Sequence, residues 1–205
     1  MKAIKSKIRR NLGACRKIRS QIGQDASVKL YHSLIESHIN FAITTWCFGN
    51  SSMKNSLQRS CDSFLKSTFS IFEPNLLRQI MRIEGIMTID QLLFFEIGKC
   101  MLKIHTETFP ICFQEYFTPT SHTMSTRSRR IFNTTTPRIQ LTKQALDFKG
   151  GIVWRLIPNH VKYDIDTSSE YRSFTSFKEH MKQFVINCGS DVIAEFVMQT
   201  QYSAE

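Results

Sequence analysis

The chain has 205 residues, of which 41% are hydrophobic and 21% are charged, a composition that indicates a globular protein and excludes a disordered one. Eight Gly and five Pro exclude a collagen-like rod, and no run of ~18 apolar residues is present that would span a membrane, so we expect no membrane partner. Lys and Arg number 27 against 17 Asp and Glu, and the net charge of +10 favours a polyanionic partner such as nucleic acid.

The N-terminal segment combines an apolar stripe with a high positive charge. Residues 1–20 contain eight Lys or Arg, and the first acidic residue is Asp25. The apolar residues recur every three or four positions and predict an amphipathic helix: Ile4, Ile8, Leu12, Cys15 and Ile18. The cationic side of this helix could contact phosphates, and a mitochondrial presequence, which has the same character, is the alternative.

Three further helices are predicted before residue 85. Gly23 and Asp25 separate the first helix from a second one over 26–46, and a turn at 49–52 leads into a third over 53–69. Because that turn is short, we expect the second and third helices to be close to antiparallel. Pro74 suits the first turn of a short helix over 75–82 that stops at Gly85.

The remaining segments alternate between helices and a long polar stretch. Thr88 or Asp90 suits the start of a helix that continues to Ile104, and its apolar residues on several sides predict a buried helix. Residues 118–138 are rich in Ser and Thr, contain two Pro and predict an extended connector. A short apolar turn at 152–156 and two helices over 173–185 and 191–198 complete the prediction.

These elements predict an all-α fold, a helical bundle of about six to eight helices with a long irregular basic connector. Along the chain we distinguish an N-terminal helical segment at 1–72, buried helices of the same core at 73–117, the connector at 118–150 and a C-terminal helical segment at 151–205. Six cysteines without a C-x-x-C pair predict reduced thiols that pack as small apolar groups, which favours a nuclear or cytoplasmic location.

Motifs for catalysis are missing from the sequence. Polymerases hold two metal ions with paired carboxylates, yet the sequence has no Asp-Asp pair, and Tyr163-Asp164-Ile165-Asp166 lies in a predicted polar loop. G-x-S-x-G, P-loop and H-E-x-x-H motifs are likewise missing. We therefore predict no catalytic residue, bound metal or cofactor in this chain.

Several basic and aromatic motifs nevertheless follow one another in a characteristic order: Arg16-Lys17-Ile18-Arg19, Lys29-Leu30-Tyr31-His32-Ser33-Leu34-Ile35, Trp46, Leu57-Gln58-Arg59, Phe109-Pro110-Ile111-Cys112-Phe113, Phe148-Lys149-Gly150-Gly151-Ile152-Val153-Trp154, Leu156-Ile157-Pro158 and Ser176-Phe177-Lys178. This order resembles the region after the palm in reverse transcriptases of non-LTR retrotransposons, with the jockey and chicken-repeat clades most similar. The resemblance extends over residues 5–186. Glu36-Ser37, Ala42, Phe109 and Arg155 depart from the family's usual residues.

The resemblance implies a thumb-like C-terminal fragment of an RNA-directed DNA polymerase that contacts template–primer nucleic acid through phosphates. The palm, with its catalytic aspartates and Mg²⁺, and the fingers would lie upstream, so the fragment alone is expected to be inactive. RNA or an RNA–DNA hybrid is the expected partner, together with the upstream palm and fingers. The expected phosphate-binding residues are Lys5, Arg9, Arg10, Arg16, Lys17, Arg19, Arg127, Arg129, Arg130 and Arg138.

Two alternatives remain open at the level of sequence. The apolar surface that would face a palm could instead bind another protein, which would make the chain a protein-interaction module. The chain could also be a transposon relic without a function. The two Trp and six of the sixteen Phe residues are expected in the core: Trp46, Trp154, Phe64, Phe69, Phe94, Phe95, Phe174 and Phe177.

Overall fold

A computed structural model describes residues 2–41, 43–46, 51–71, 73–108, 110, 146–164, 171–187 and 190–201. Within these ranges the protein is all-α, as predicted, and the pairing of Tyr163 with Tyr171 is an isolated antiparallel bridge. The chain divides into two compact units, Met1–Leu93 and Phe94–Glu205, which we describe separately. The sequence-based segments instead divide the chain at residues 72, 117 and 150.

The first unit contains α1 (Lys2–Tyr31), a π-helical turn (His32–Glu36), α2 (Ser37–Asn40), α3 (Ile43–Trp46), α4 (Ser51–Phe69), α5 (Pro74–Ile83) and the first residues of α6 (Ile89–His105). All predicted helices of this region are present. One predicted helix, over 26–46, is interrupted at Phe41, where the backbone turns to φ −59°, ψ 110° and ends α2.

The helix α1 folds back on itself at Gly23. This residue has φ 71° and ψ 175°, a conformation that is not helical and that favours glycine. The side-chain amide of Asn11 donates a 2.9 Å hydrogen bond to the carbonyl of Leu34, so residues 2–22 (the first arm) lie beside residues 24–40 (the second arm). The predicted break at Gly23 is therefore a tight reversal between two helical arms.

The first arm and α4 run in the same direction. The guanidinium groups of Arg9 and Arg16 donate hydrogen bonds to the hydroxyls of Ser56 and Ser63, and both pairs are 47 residues apart. Because the second arm returns along the first, it runs opposite to α4, as predicted for the two long helices. The rings of Tyr31, in the second arm, and Phe64, in α4, stack with their centres 6.1 Å apart.

The core of this unit comes largely from the predicted apolar stripes. Ile8, Leu12 and Cys15 of the first arm are buried, whereas Ile18, at the edge of the stripe, is 39% exposed. The start of α6 is capped by Thr88: its hydroxyl accepts from the Gln91 N–H at 3.2 Å, and the Gln91 side-chain oxygen accepts from the Thr88 N–H at 2.8 Å. Of the two predicted caps, the structure selects Thr88.

The second unit contains the rest of α6 and the helices α7 (Leu146–Leu156), α8 (Asn159–Lys162), α9 (Phe174–Asn187) and α10 (Ser190–Gln201). Gly98 allows close packing here, because a Cβ at that position would lie 2.7 Å from Cε of Met181. Predicted core aromatics that are fully buried include Trp154, Phe94 and Phe177. No helix in the described ranges is both long and apolar enough to cross a membrane.

Two details differ from the sequence-based expectations, and two further predictions fall outside the residues described. Residues 146–150, assigned to the connector, and 152–156, assigned to a turn, together form α7, because helical hydrogen bonding continues through Gly150 and Gly151. Phe174 is 41% exposed rather than buried, and the ammonium of Lys103 lies 4.8 Å from its ring centre. The predicted connector over 118–145 and the Trp46 side chain lie outside the residues described.

Candidate nucleic-acid interface

The six N-terminal residues predicted to bind phosphate lie on the first arm of α1. Arg9, Arg10, Arg16 and Lys17 are exposed, and Lys5 and Arg19 are half-buried. The other four predicted residues, Arg127, Arg129, Arg130 and Arg138, lie outside the described part of the chain. The candidate interface is therefore a surface of the first unit.

Arg10 and Lys17 form the outward part of this surface. They are seven residues apart, about two helical turns, and so lie on one face of the helix. The buried residues Ile8, Leu12 and Cys15 mark the opposite face. Both cationic side chains are thus directed away from the core and toward solvent.

Arg9 and Arg16 lie at the seam between the first arm and α4. Nη2 of Arg9 is 3.4 Å from the Ser56 hydroxyl oxygen, and Nη2 of Arg16 is 3.1 Å from that of Ser63. Each bond engages one N–H of a guanidinium that carries five, so most donors remain for another acceptor. The serines hold both arginines in a defined orientation along the seam.

The helix α4 adds two cations that the sequence analysis did not select, Arg59 and Lys66. By the same 47-residue offset, Arg19 of the first arm lies opposite Lys66 of α4. This position is one helical turn beyond the contact of Arg16 with Ser63. Arg59 lies between Ser56 and Ser63 along α4. The sequence feature that could have identified Arg59 and Lys66 is a polar face of α4, with residues spaced by three and four: Arg59, Ser63, Lys66, Ser67 and Ser70.

An open cleft of about 720 Å³ lies at this end of the seam. Three cations, one carboxylate and three hydroxyl side chains line it, together with Ile71: Arg19, Arg59, Lys66, Asp62, Ser63, Ser67 and Ser70. Nη1 of Arg19 is buried and has no hydrogen-bond partner. The Asp62 carboxylate accepts from the Gln58 side chain at 2.7 Å and from Arg78 at 3.4 Å, so its charge is already engaged.

The titratable groups of the second unit form a packed core cluster. His105 stacks on Trp154 with ring centres 4.5 Å apart, and its Nδ1 is 3.2 Å from the Tyr171 hydroxyl. Burial, with a smaller contribution from the charge of Lys162, lowers the pKa of His105 to about 4. Burial also lowers the pKa of Lys162 to about 8, and its ammonium lies 5.2 Å from the Trp154 ring centre. This arrangement packs the rings of His105, Trp154 and Tyr171 against one another.

The described residues show no arrangement suited to metal or thiol chemistry. No group of three or more His, Cys, Asp or Glu within the described ranges could hold a metal ion. Asp164, in the acidic sequence near 163–166, is 3.4 Å from Nη1 of Arg172 and serves as an ion-pair partner in a loop. The thiols of Cys15 and Cys61 are free and buried, and burial raises the pKa of Cys61 to about 12, which suppresses its reactivity.

Comparison with known proteins gives no family to which the chain can be assigned. No family model, no curated protein and no solved structure matches it. The features of the chain that bear on its function are the order of motifs in the sequence and the geometry of the first unit.

Proposed function

We propose that the chain is a thumb-like fragment of a retrotransposon reverse transcriptase that binds RNA or an RNA–DNA hybrid through its phosphates. One observation carries the proposal: the first arm of α1 presents cations along two adjoining surfaces without an acidic residue before Asp25. Arg10 and Lys17 face solvent, and Arg9 and Arg16 are held along α4 by serine hydroxyls. Clustered cations on one helix are the electrostatic footprint of a phosphate-binding surface.

The geometry fits the backbone of a nucleic acid better than its bases. Arg9 and Arg19 are ten residues apart, which corresponds to about 15 Å along the axis of a helix. At roughly 3.4 Å per nucleotide of a duplex strand, this length spans about four phosphates. Arg and Lys contacts to phosphate oxygens position a protein on a duplex and carry no direct sequence information, so we expect little sequence preference.

The proposal assigns binding, and not catalysis, to this chain. In a complete polymerase the bond-forming step would belong to an upstream palm that holds Mg²⁺, with fingers as a further partner. The residues of this chain would position the template–primer duplex, a task that requires no cofactor. We expect the protein in the nucleus or cytoplasm, where nucleic acid is accessible. A mitochondrial location, directed by the basic N-terminus, is the alternative.

Charge reversal on the outward surface tests this function. The variant R10E/K17E replaces two exposed cations of the first arm, and K178E/K182E replaces two exposed cations of α9 with the same change in net charge. We expect R10E/K17E to weaken binding to a fluorescently labelled RNA–DNA hybrid about tenfold or more, and K178E/K182E to weaken it far less. Equal losses would show that net charge alone drives binding and would contradict a defined interface.

A second candidate function, a protein-interaction module, is favoured by the exposed apolar side chains of α5. Leu76 and Ile83 lie seven residues apart on one helix face and are 43% and 80% exposed. If this surface binds a protein, the interaction is expected to be insensitive to salt and to be lost in L76N/I83N. The salt dependence of binding therefore distinguishes the two candidates, and a relic without function would show neither interaction.

A further inference from the structure

The cleft beside the end of α4 differs from the rest of the cationic surface because it is concave. Arg19 contributes from α1, and residues of one face of α4 contribute the other side, among them Arg59 and Lys66. Its volume of about 720 Å³ has room for a phosphate, whether free or attached to a larger molecule.

Arg19 supplies the observation that points to a ligand. Nη1 of its guanidinium is buried without a hydrogen-bond partner, and the residue lines the cleft. A buried cationic N–H without an acceptor costs free energy, and the acceptor that best satisfies a guanidinium is a carboxylate or phosphate oxygen. Asp62 lines the same cleft, yet its carboxylate is bonded to Gln58 and Arg78 instead.

The hydroxyl groups favour an anion with several oxygens. The Ser63 hydroxyl accepts from Arg16, so its own hydrogen remains available to donate. Ser67 donates to the Phe64 carbonyl at 2.7 Å and retains acceptor capacity toward an arginine or lysine. A phosphate has enough oxygens to accept from Arg19, Arg59 and the Ser63 hydroxyl together.

Two features oppose this assignment. The cleft lies near the C-terminus of α4, where the helix dipole disfavours an anion, and the Asp62 carboxylate lines it. Three cationic side chains line the same cleft, so its net charge is positive, and charged donors form stronger hydrogen bonds with an anion than neutral donors do. The cations therefore outweigh the dipole and the single carboxylate.

We propose that this cleft is a phosphate-binding site that holds either a backbone phosphate of a bound nucleic acid or a free phosphate group. The inference rests on the proposed function and deepens it, since it gives the cationic surface one defined position for a phosphate. The cleft would fix the position of one phosphate, and the outward cations Arg10 and Lys17 would attract the neighbouring ones.

The test uses the full chain, labelled with ¹⁵N, and follows the Nε–H signals of its arginines during titration with inorganic phosphate at constant ionic strength. Acetate serves as the control anion. We expect phosphate, and not acetate, to shift the signals of Arg19 and Arg59 and to leave that of Arg10 in place. The variant R59Q/K66Q should weaken the phosphate response about tenfold, whereas K178Q/K182Q, with the same loss of charge at exposed positions of α9, should preserve it.

Binding of a labelled RNA–DNA hybrid separates this inference from the proposed function. If both hold, R59Q/K66Q reduces the magnitude of the salt slope of hybrid binding by about 1, because the cleft holds one phosphate. Hybrid binding without any phosphate response at Arg19 would overturn the cleft site and leave the proposed function standing. A phosphate response without hybrid binding would overturn the proposed function and leave a site for free phosphate. Because the Arg19 signal is read on the wild-type chain, misfolding of a variant would not obscure either result.

Discussion

Gly13 and Gly23 of α1 both have open space around them, and they differ in backbone conformation alone. A Cβ at either position would meet no atom within 4 Å. Gly23 has φ 71° and ψ 175°, a region that is essentially restricted to glycine, whereas Gly13 lies within a helical stretch.

The substitution G13A is therefore expected to stabilise the protein by about 0.5–1 kcal/mol through helix propensity. The substitution G23A is expected to destabilise it by about 1–3 kcal/mol, because alanine is strained at that backbone angle. Urea denaturation followed by circular dichroism measures both. If G23A were neutral, the reversal between the two arms would not depend on this residue.

His105 makes the stability of the protein depend on pH. Its pKa is lowered to about 4 in the folded state, from an ordinary value of 6.5. Between these values the unfolded chain binds a proton that the folded chain does not, so the free energy of unfolding decreases as pH falls through this window. Allowing for partial solvent screening, we expect a loss of about 1–2 kcal/mol between pH 7.5 and pH 5.

This loss should be smaller in H105Q and unchanged in H160Q, which replaces an exposed histidine of the same unit. Urea denaturation at a series of pH values provides the comparison. Parallel pH curves for wild type and H105Q would show that His105 is not the group responsible.

Residue burial was predictable where a residue lay at the centre of an apolar stripe and less so elsewhere. Ile8, Leu12 and Cys15 are buried as the spacing requires. Phe174 is also hydrophobic, yet it lies in the first turn of α9 and a large fraction of its side chain is exposed. Hydrophobicity indicates what a side chain gains by burial, but the neighbours that could cover it are determined by tertiary packing.

At the scale of elements, the N-terminus of α6 depends on a reciprocal pair of hydrogen bonds between Thr88 and Gln91. The substitution T88A removes the acceptor for the Gln91 N–H and is expected to cost about 1 kcal/mol. T175A, in the first turn of α9 at an exposed position, is the matched control and should change stability by less than about 0.5 kcal/mol. Equal effects in thermal or urea denaturation would contradict the capping role.

The helices themselves follow from local signals, and their pairing does not. Pro74 and Gly85 bracket α5 because each fits the backbone at its end of the helix, and Gly85 has φ 66°. The parallel register of α1 and α4, with Arg9 at Ser56 and Arg16 at Ser63, depends on contacts between residues 47 apart. No local pattern encodes that offset, which is why Arg59 and Lys66 were not selected from the sequence.

At the scale of the whole molecule, the excess of positive charge becomes informative about a partner once the positions of the cations on the first unit are known. A net charge of +10 alone is compatible with many partners. Arg10 and Lys17 on one face, and Arg9, Arg16 and Arg19 along α4, give part of that charge a geometry suited to a run of phosphates. The motif order and this arrangement of cations are the two observations that support the proposed function.

The most direct test is the salt dependence of binding between the wild-type chain and a labelled RNA–DNA hybrid, measured by fluorescence anisotropy. Each neutralised phosphate contributes about −0.9 to the slope of log affinity against log salt, so about five to eight contacts from the ten predicted residues would give a slope of roughly −4 to −7. A folded sample that does not bind the hybrid at low salt, or binds it with a slope near zero, would contradict the proposed function.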